Sequence, residues 1–583
     1  MGNSISSGAR WGAAGATAVF LASCADPFQT IDAKVADLLA EGTTAVGAGD
    51  AYPVTDAWGS THPDDSAALN VEQPETVNPT AAAMRFKAMV TTEADALVQR
   101  LGQSSPDGKD DILKLEASLQ WAVRHAFDYT YAEEEYILSC LSLLVERHLW
   151  TPQIADDVIS QYSHFASDLA TTKSSAAIIN DLNVTQRLPW GGQIAASYLA
   201  TFSHIVQDAG TSEDKIGQFT LSASIPFLRN AGAIAREDII QAERDLIYAA
   251  RTFEEFRRSF HVDVVTAYLA LQVQQQELDN AMESVALLDK LAERQRALYE
   301  AGRARLYDAA EAENNSLQQR STVSGLQEAY RLAVDRFKIQ INYPVELPVL
   351  IDRGSFAITP PDVSLDEAVR TALTHRLDLQ TDRDRLVDRR RSVRNALNQL
   401  LPDLNLAGEV RFGSSDEYYA EFVVPTLEDM ESDISLTLSL PLDRTQERIA
   451  VRGAQISLER ARRAFTQERD EIAVNVRNAV RTIDSSLLSY DIQRRNVEIA
   501  GINIESIEAD PDSYTVLDQL SAIQSLQQAR NGRARAFRTV QQSILRYLLD
   551  TGQLRVTPQG KLEPLPGMGI EQTASLSFEQ DAA

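Results

Sequence analysis

Residues 433–442 read Asp-Ile-Ser-Leu-Thr-Leu-Ser-Leu-Pro-Leu. Ile434, Leu436, Leu438 and Leu440 alternate with Ser435, Thr437 and Ser439, the two-residue period that puts one row of side chains on each face of a β-sheet. The same pattern stands upstream, where Phe219, Leu221, Ala223 and Ile225 alternate with Thr220, Ser222 and Ser224. Each stretch has a preceding partner. Leu404, Leu406, Val410 and Phe412 interleave with Asn405, Glu409 and Arg411, and Ile194, Ala196, Tyr198 and Phe202 interleave with Gln193, Ser197 and Thr201. Four strands follow, near 183–206, 217–227, 402–412 and 433–441. Four strands cannot enclose a core by themselves. A strand of a membrane barrel needs only ~9–11 residues, apolar outward and polar inward, and these satisfy that requirement. With four strands per chain several chains must close the barrel, because unpaired backbone groups at an open edge in lipid are too costly to keep. A soluble sandwich shows the same alternation, so the surroundings of the strands decide between the two.

Those surroundings are helical and very long. From Ala233 to Glu300, 68 residues contain neither proline nor glycine, about 100 Å at ~1.5 Å per residue. Thr445 to Ala509 has the same Glu, Arg, Ala, Leu and Gln bias, broken only by Gly453 and Gly501. Helices of this length need neighbours packed alongside as coiled coils. Ala301-Gly302 interrupts the first run and Asp510-Pro511-Asp512 the second. Helix resumes over 306–341 and 516–549, so each interruption is the tip of a helical hairpin. Shorter helices precede the strand pairs at 111–148 and 364–400, and prolines punctuate the connection at 345–363.

Three anchors recur in the same order, which implies an internal two-fold repeat over 81–344 and 364–555. Val123-x-His125-x-x-Asp128 and Leu373-x-His375-x-x-Asp378, each followed by a proline (Pro152, Pro402), lie 250 residues apart. Ser224-Ile225-Pro226 and Ser439-Leu440-Pro441 lie 215 apart, and Asp308 and Asp518 lie 210 apart. Pro152 to Pro226 spans 74 residues and Pro402 to Pro441 spans 39, so the first copy carries 35 extra residues before or within its first strand.

Charge and composition remove other classes. With 55 Lys+Arg against 83 Asp+Glu the net charge is −28, which argues against a nucleic-acid partner. Two cysteines and seven histidines leave no disulfide scaffold or Cys-rich zinc site. Cys140 reads as a small buried residue. No phosphate-cradling glycine loop, zincin helix or Gly-x-Ser-x-Gly elbow is present. The His-x-x-Asp spacing at 125–128 recurs at 375–378 and so reads as a helix-end feature rather than acid/base chemistry. The protein is therefore not expected to be an enzyme or to need a cofactor or metal. The acidic stretch 413–433 reads as a solvated outer loop; it lacks the spacing of an EF-hand.

The N-terminus reads as an address. One arginine, Arg10, precedes an uncharged stretch that ends in Leu21-Ala22-Ser23-Cys24, the form of a signal peptide over 1–23 that resembles a bacterial lipobox. Lipidation of Cys24 follows from that resemblance. Residues 25–80 hold ten acids against one lysine and read, with Cys24, as a disordered tether; 556–583 reads as a disordered C-terminal tail.

In this order, the elements resemble the TolC-like outer-membrane efflux protein family. His375-Arg376-Leu377-Asp378-Leu379 resembles its entry helix, and Leu400-Leu401-Pro402-Asp403-Leu404 its strand start. Ser439-Leu440-Pro441-Leu442 resembles its strand exit, and Tyr299-Glu300-Ala301-Gly302-Arg303-Ala304 with Asp308 its hairpin tip. The resemblance implies an α+β membrane protein: a homotrimer whose twelve-stranded transmembrane β-barrel continues into a periplasmic α-helical coiled-coil barrel. It also implies a bacterial outer-membrane duct that meets a periplasmic adaptor (membrane fusion) protein and an inner-membrane pump of RND or ABC type, with outer-membrane lipid around the barrel. Asp518 matches the family's acidic constriction, a periplasmic gate that three-fold symmetry turns into a ring of carboxylates; its plain alternative is a helix N-terminal aspartate. Arg303 and Arg305 at one tip and Asp510 and Asp512 at the other form a candidate latch between hairpins, and Gly302 marks a candidate adaptor contact. Asp512 stands where the family's tip often has glycine, with Pro511 beside it. A lipid-anchored periplasmic coiled-coil scaffold without a pore is the alternative reading.

Overall fold

Runs free of helix breakers become helices here, and alternating runs become strands. The computed structural model describes residues 27–46, 111–167, 171–207, 210–413, 430–557, 560–563 and 570–573. Cys24, the segment around Ala81 and the acidic loop 414–429 lie outside them. In chain order the elements are α1 (Pro27–Val46), β1 (Asp111–Leu113), α2 (Leu115–His125), α3 (Phe127–His148), β2 (Gln153–Ser167), β3 (Thr171–Arg187), β4 (Gln193–Gln207) and β5 (Gly210–Pro226). Next come α4 (Glu237–Glu300), α5 (Leu306–Gln340), β6 (Val349–Ile351), β7 (Ser355–Ile358), α6 (Leu365–His375) and α7 (Leu377–Asn398). The chain continues with β8 (Asp403–Gly413), β9 (Met430–Ser439), α8 (Thr445–Ala509), α9 (Val516–Asp550), β10 (Arg555–Val556), β11 (Leu562–Glu563) and β12 (Ile570–Thr573). Helices of 11 and 22 residues lead into the strands in both halves. Helices of 64 and 35 residues leave them in the first half, and of 65 and 35 in the second.

The chain divides into two compact units, one made of 1–46, 136–250 and 381–466, the other of 47–135, 251–380 and 467–583. In the first unit, β2-β3-β4-β5-β8-β9 form one antiparallel sheet of six strands. This corrects the four strands expected from alternation. The stretch placed near 183–206 resolves into the end of β3, a turn and β4, and a further hairpin, β2–β3, precedes it. That hairpin, Gln153–Arg187, is 35 residues long, matching the excess of the first copy. Its period is hard to see in sequence because Asp156 and Asn180 interrupt the apolar row.

Register carries each face across the whole sheet. Leu182 stands opposite Tyr198, Tyr198 opposite Phe219, Phe219 opposite Phe412, and Phe412 opposite Met430. On the other face Asn183, Ser197, Thr220, Arg411 and Glu431 follow in the same way. Among the described residues nothing covers the apolar row at the sheet's two edges: Ile154 is 72% and Tyr162 70% exposed on β2, and Ile434 is 81% exposed on β9. The expected tether also needs correcting, since 27–46 form α1. Its residues Val35, Leu38 and Leu39 are buried, and the Tyr136 hydroxyl donates to the Leu39 carbonyl at 3.5 Å. An apolar stripe among the acids thus finds a partner only in the folded chain. Burial pushes the Cys140 thiol up to about 12. An ionic cluster ties α4 to α7: Arg391 donates to Glu237 (2.9 Å), Gln241 (2.7 Å) and Asp388 (2.9 Å), and Tyr248 donates to Asp388 (2.5 Å).

In the second unit, tight turns end the helices. The Tyr343 N–H donates to the Lys338 carbonyl at 2.7 Å around Asn342, which sits at φ 52° and closes α5 in a Schellman turn. The tail expected to be disordered after 556 also orders in part. Arg257 on α4 donates to the Val556 and Thr557 carbonyls at 3.2 and 3.1 Å, and β12 pairs with β7. These strands are too short to leave a periodic signal, and their partners are distant in sequence: Arg257 lies 300 residues from Thr557, and β12 finds β7.

The half-buried Glu255 and the buried His261 of this unit titrate in opposite senses. Burial, then the neighbouring Asp378 carboxylate, pushes Glu255 up to about 7. The fold thus holds this proton more tightly than the unfolded chain does. Its contribution is fully present below pH 4.5, where an ordinary glutamate is protonated, and is lost as pH rises to 7. Burial lowers His261 to about 4, so its contribution is present above pH 6.5 and lost as pH falls toward 4. Replacing Glu255 by Gln removes the first loss. The Glu255→Gln protein is expected to be more stable than the parent by about 1–3 kcal/mol at pH 8 and equal to it near pH 4, measured by thermal unfolding at the two pH values.

Candidate functional site

The two hairpin tips lie in the second unit. α4 ends in a full Schellman turn: the Gly302 N–H donates to the Tyr299 carbonyl (2.9 Å) and the Arg303 N–H to the Leu298 carbonyl (2.8 Å). Gly302 has φ +71°, and a Cβ there would meet nothing within 4 Å. Its glycine therefore answers a backbone need, and no close approach within this chain requires it. Arg305 is the N-cap of α5 and offers no side-chain cap. Arg303 and Arg305 are exposed, beside the exposed Tyr299, Leu306 and Tyr307.

The second tip is built on acids and hydroxyls. After α8, Pro511–Ser513 make one 3-10 turn, and the Ser513 hydroxyl donates to Asp510 at 2.5 Å. Thr515 and Asp518 form a capping box. The Asp518 N–H donates to Thr515 Oγ1 (3.2 Å), while the Thr515 N–H and hydroxyl donate to Asp518 Oδ2 (3.0 and 2.6 Å). The Thr515 hydroxyl, followed by its backbone N–H, holds the Asp518 carboxyl below the ordinary aspartate range. Asp518 is thus an exposed anion fixed by its own helix start. Asp308 takes the same third position of α5, after an arginine cap in place of threonine. Within the chain, no ion pair among the described residues joins Arg303 or Arg305 to Asp510, and the Asp512 side chain lies outside them.

Behind the tips, Leu288 and Leu291 of α4, Ala312 of α5, and Leu520 and Ile523 of α9 form one buried cluster. Beyond it the contacts between hairpins turn polar: Asn280 donates to Asn531 (2.7 Å), Gln319 to Gln527 (3.0 Å) and Arg535 to Glu277 (2.5 Å). Hydrogen bonds of this kind fix register while leaving little apolar area to hold the helices together. Sequence reasoning singled out the charges of the tips and missed their exposed apolar residues: Tyr299, Leu306 and Tyr307 at one, Tyr514 and Leu517 at the other. The signal was their position next to each break, where a solvated turn has no use for them. Among the described residues no group of three His, Cys, Asp or Glu side chains could hold a metal ion, and no helix is long and apolar enough to cross a membrane.

The architecture matches solved structures. The outer-membrane channel OprN is 14% identical, covers 75% of this chain and 90% of its own, and superposes with a TM-score of 0.56. The CmeC outer membrane channel of Campylobacter jejuni is 15% identical over 78% of this chain and 91% of its own, with a TM-score of 0.55. The outer membrane protein VceC of Vibrio cholerae is 14% identical over 75% and 96%, with a TM-score of 0.57. The chain thus has the TolC-like fold of outer-membrane channels. No family model and no curated protein matches it.

The open space around Gly302 separates two roles for that residue. Gly302→Ala is expected to cost about 1–2 kcal/mol, the strain of a side chain at positive φ, with no steric term. Hydrogen exchange confined to 298–305 should report it; a loss spread over both hairpins would show a packing role instead.

Proposed function

We propose that the protein is the outer-membrane duct of an export system, a homotrimer that passes substrates from an inner-membrane pump of RND or ABC type, through a periplasmic adaptor, to the exterior. The observation that carries this reading is the sheet: one face mostly polar, the other mostly apolar and bare at both edges, in a chain with the fold of outer-membrane channels. An apolar face this exposed marks an interaction surface, and lipid is the surface that accepts a closed barrel with apolar residues outward. The matching helix lengths of the two halves support an internal repeat. The sheet places six strands in each chain, so a trimeric barrel holds eighteen where the sequence implied twelve.

In this duct Cys24 carries the lipid that adds to the anchoring. The exposed residues around Gly302, Arg303 and Arg305 meet the adaptor. Asp518, held ionised by its capping box, forms with its two symmetry mates a carboxylate ring that attracts cations and repels anions. The opposite charges of the tips, Arg303 and Arg305 against Asp510 and Asp512, pair between neighbouring chains as a latch. Each exposed pair contributes only ~0.2–1 kcal/mol, and three-fold symmetry multiplies the bias.

Planar-bilayer conductance of the detergent-solubilised protein, with its mass determined in the same sample, tests the reading. A trimer giving small, cation-selective, mostly closed channels is expected. A water-soluble monomer or dimer without conductance would overturn the duct and favour a lipid-anchored periplasmic scaffold. For the ring, Asp518→Ala is expected to abolish block by divalent cations while leaving the trimer intact; unchanged block removes the ring.

A further inference from the structure

We infer that the β2–β3 hairpin is a pore-widening insert: it stands in the barrel wall as two additional strands per chain, and the outer mouth therefore passes solutes that a twelve-stranded ring would exclude. The inference rests on the duct reading above. It begins from the way the hairpin joins the sheet. β3 pairs with β4 over fifteen consecutive residues, Lys173–Arg187 against Gln193–Gln207, and β2 pairs with β3 over another fifteen. A hairpin added outside the wall has no reason to keep the faces of the sheet in step. This one keeps them for the most part, with Ile159 opposite Ile179 as an apolar pair on the polar face. Ile154, Val158 and Tyr162 of β2 share the apolar face with Ile178, Leu182 and Val184 of β3, and that face continues into Tyr198 and Phe202 of β4.

Within the hairpin the charged residue on the apolar face is Asp156, three residues from the start of β2, and it accepts a hydrogen bond from Asn180 at 2.8 Å. Charge so near a strand end costs little in a barrel compared with charge at the midplane. On the other face Asp157 stands directly opposite Asp181. Like charges facing each other across a dry sheet are destabilising; a water-filled lumen tolerates them.

The connection at the far end of the hairpin is built for a wall and not for a free appendage. The Leu188–Gly192 turn closes on itself, with the Leu188 N–H donating to the Gly192 carbonyl at 3.0 Å, and it is held by the Gly232 N–H donating to the Trp190 carbonyl at 2.7 Å. Gly192, at φ +86°, lies so close to β5 that a Cβ would come within 1.9 Å of the Ser224 carbonyl oxygen. Trp190 is exposed at this level, the residue type that settles at a membrane interface. The second half shows the same site without the insert: Pro402 leads straight into β8, whose partner is β9, whereas Pro152 leads into β2 and reaches β4 only after the hairpin. With the insert present, the free edges of the sheet are β2 and β9, so closure of the ring joins β2 of one chain to β9 of the next. Barrel diameter grows roughly in proportion to strand number, so eighteen strands give a ring about 1.5 times as wide as twelve.

The test compares the full chain with a chain lacking 153–187. The five residues 188–192 reach up to ~16 Å and must bridge two strand spacings of about 10 Å, so the shortened chain can still lead Pro152 into β4. Electron microscopy of both proteins in lipid nanodiscs should show the barrel narrowing by about a third on deletion. The largest polyethylene glycol that lowers conductance from the outer side should shrink in hydrodynamic radius by a similar fraction. Pores of equal width and equal cut-off would overturn the insert's role while leaving the duct in place; no pore from either chain would overturn the duct itself. Should the shortened chain fail to fold, the full chain still decides. With Cys140 replaced by Ala and Cys24 kept, Gln161→Cys with Ser435→Cys, treated with a short bis-maleimide, should give covalent trimers, and Thr201→Cys with Ser435→Cys should not. Cross-linking through position 201 and not 161 would show the ring closing on β4, with the hairpin outside the wall.

Discussion

Backbone amides and carbonyls need partners, and an apolar side chain needs either a core or a lipid. The six-stranded sheet meets neither requirement alone. Its inner strands are paired on both sides, but β2 and β9 each keep one edge of unpaired groups, and the apolar residues along both edges stand bare. Everything proposed for this protein descends from that unmet requirement. In the proposed duct, ring closure pairs the edges, lipid covers the apolar face, and the mostly polar face then lines a passage. The same constraint is what calls for further copies of the chain in that proposal, since a single six-stranded sheet leaves both edges open.

The helical hairpins solve a different problem. Helices of 64 and 65 residues cannot stand alone, and near the tips they are held by a small apolar cluster around Leu288, Leu520 and Ile523. Beyond it amide-to-amide and ionic contacts take over. Such a seam specifies which helices lie together while contributing little apolar burial. The tips carry the contrast further. One is a glycine-dependent turn flanked by arginines and tyrosines. The other is a capped helix start whose aspartate is held by its own threonine.

Much of this was legible in the residues. The alternation of 433–439 and 219–225, the proline-free and glycine-free helices, and the two breaks near 302 and 511 all arise from short-range rules of period, propensity and capping, which act within a few residues. Other features were not legible. α1 lies in an acidic, threonine-rich stretch, and its burial depends on Tyr136 nearly a hundred residues away. At the C-terminus, Val556 and Thr557 are held by Arg257, and β12 by β7. Asp518 could be read as a helix-start residue or as a gate; its hydrogen bonds with Thr515 establish the first and leave it ionised for the second.

Sequence alone determined the type and order of the helices over 111–148, 233–341, 364–400 and 445–549, of the hairpin tips and of four strands, because period, helix propensity and turn residues act locally. It also located the 35-residue excess of the first copy, by arithmetic on repeated anchors. Only the tertiary structure decided that this excess is a strand pair within the sheet. Asp156 and Asn180 blur the alternation of the hairpin, and a strand is recognised in full only when its neighbour's register shows which residues share a face. Pairing is a relation between distant segments, and so the strand count, and with it the width of the proposed pore, is a property of the fold.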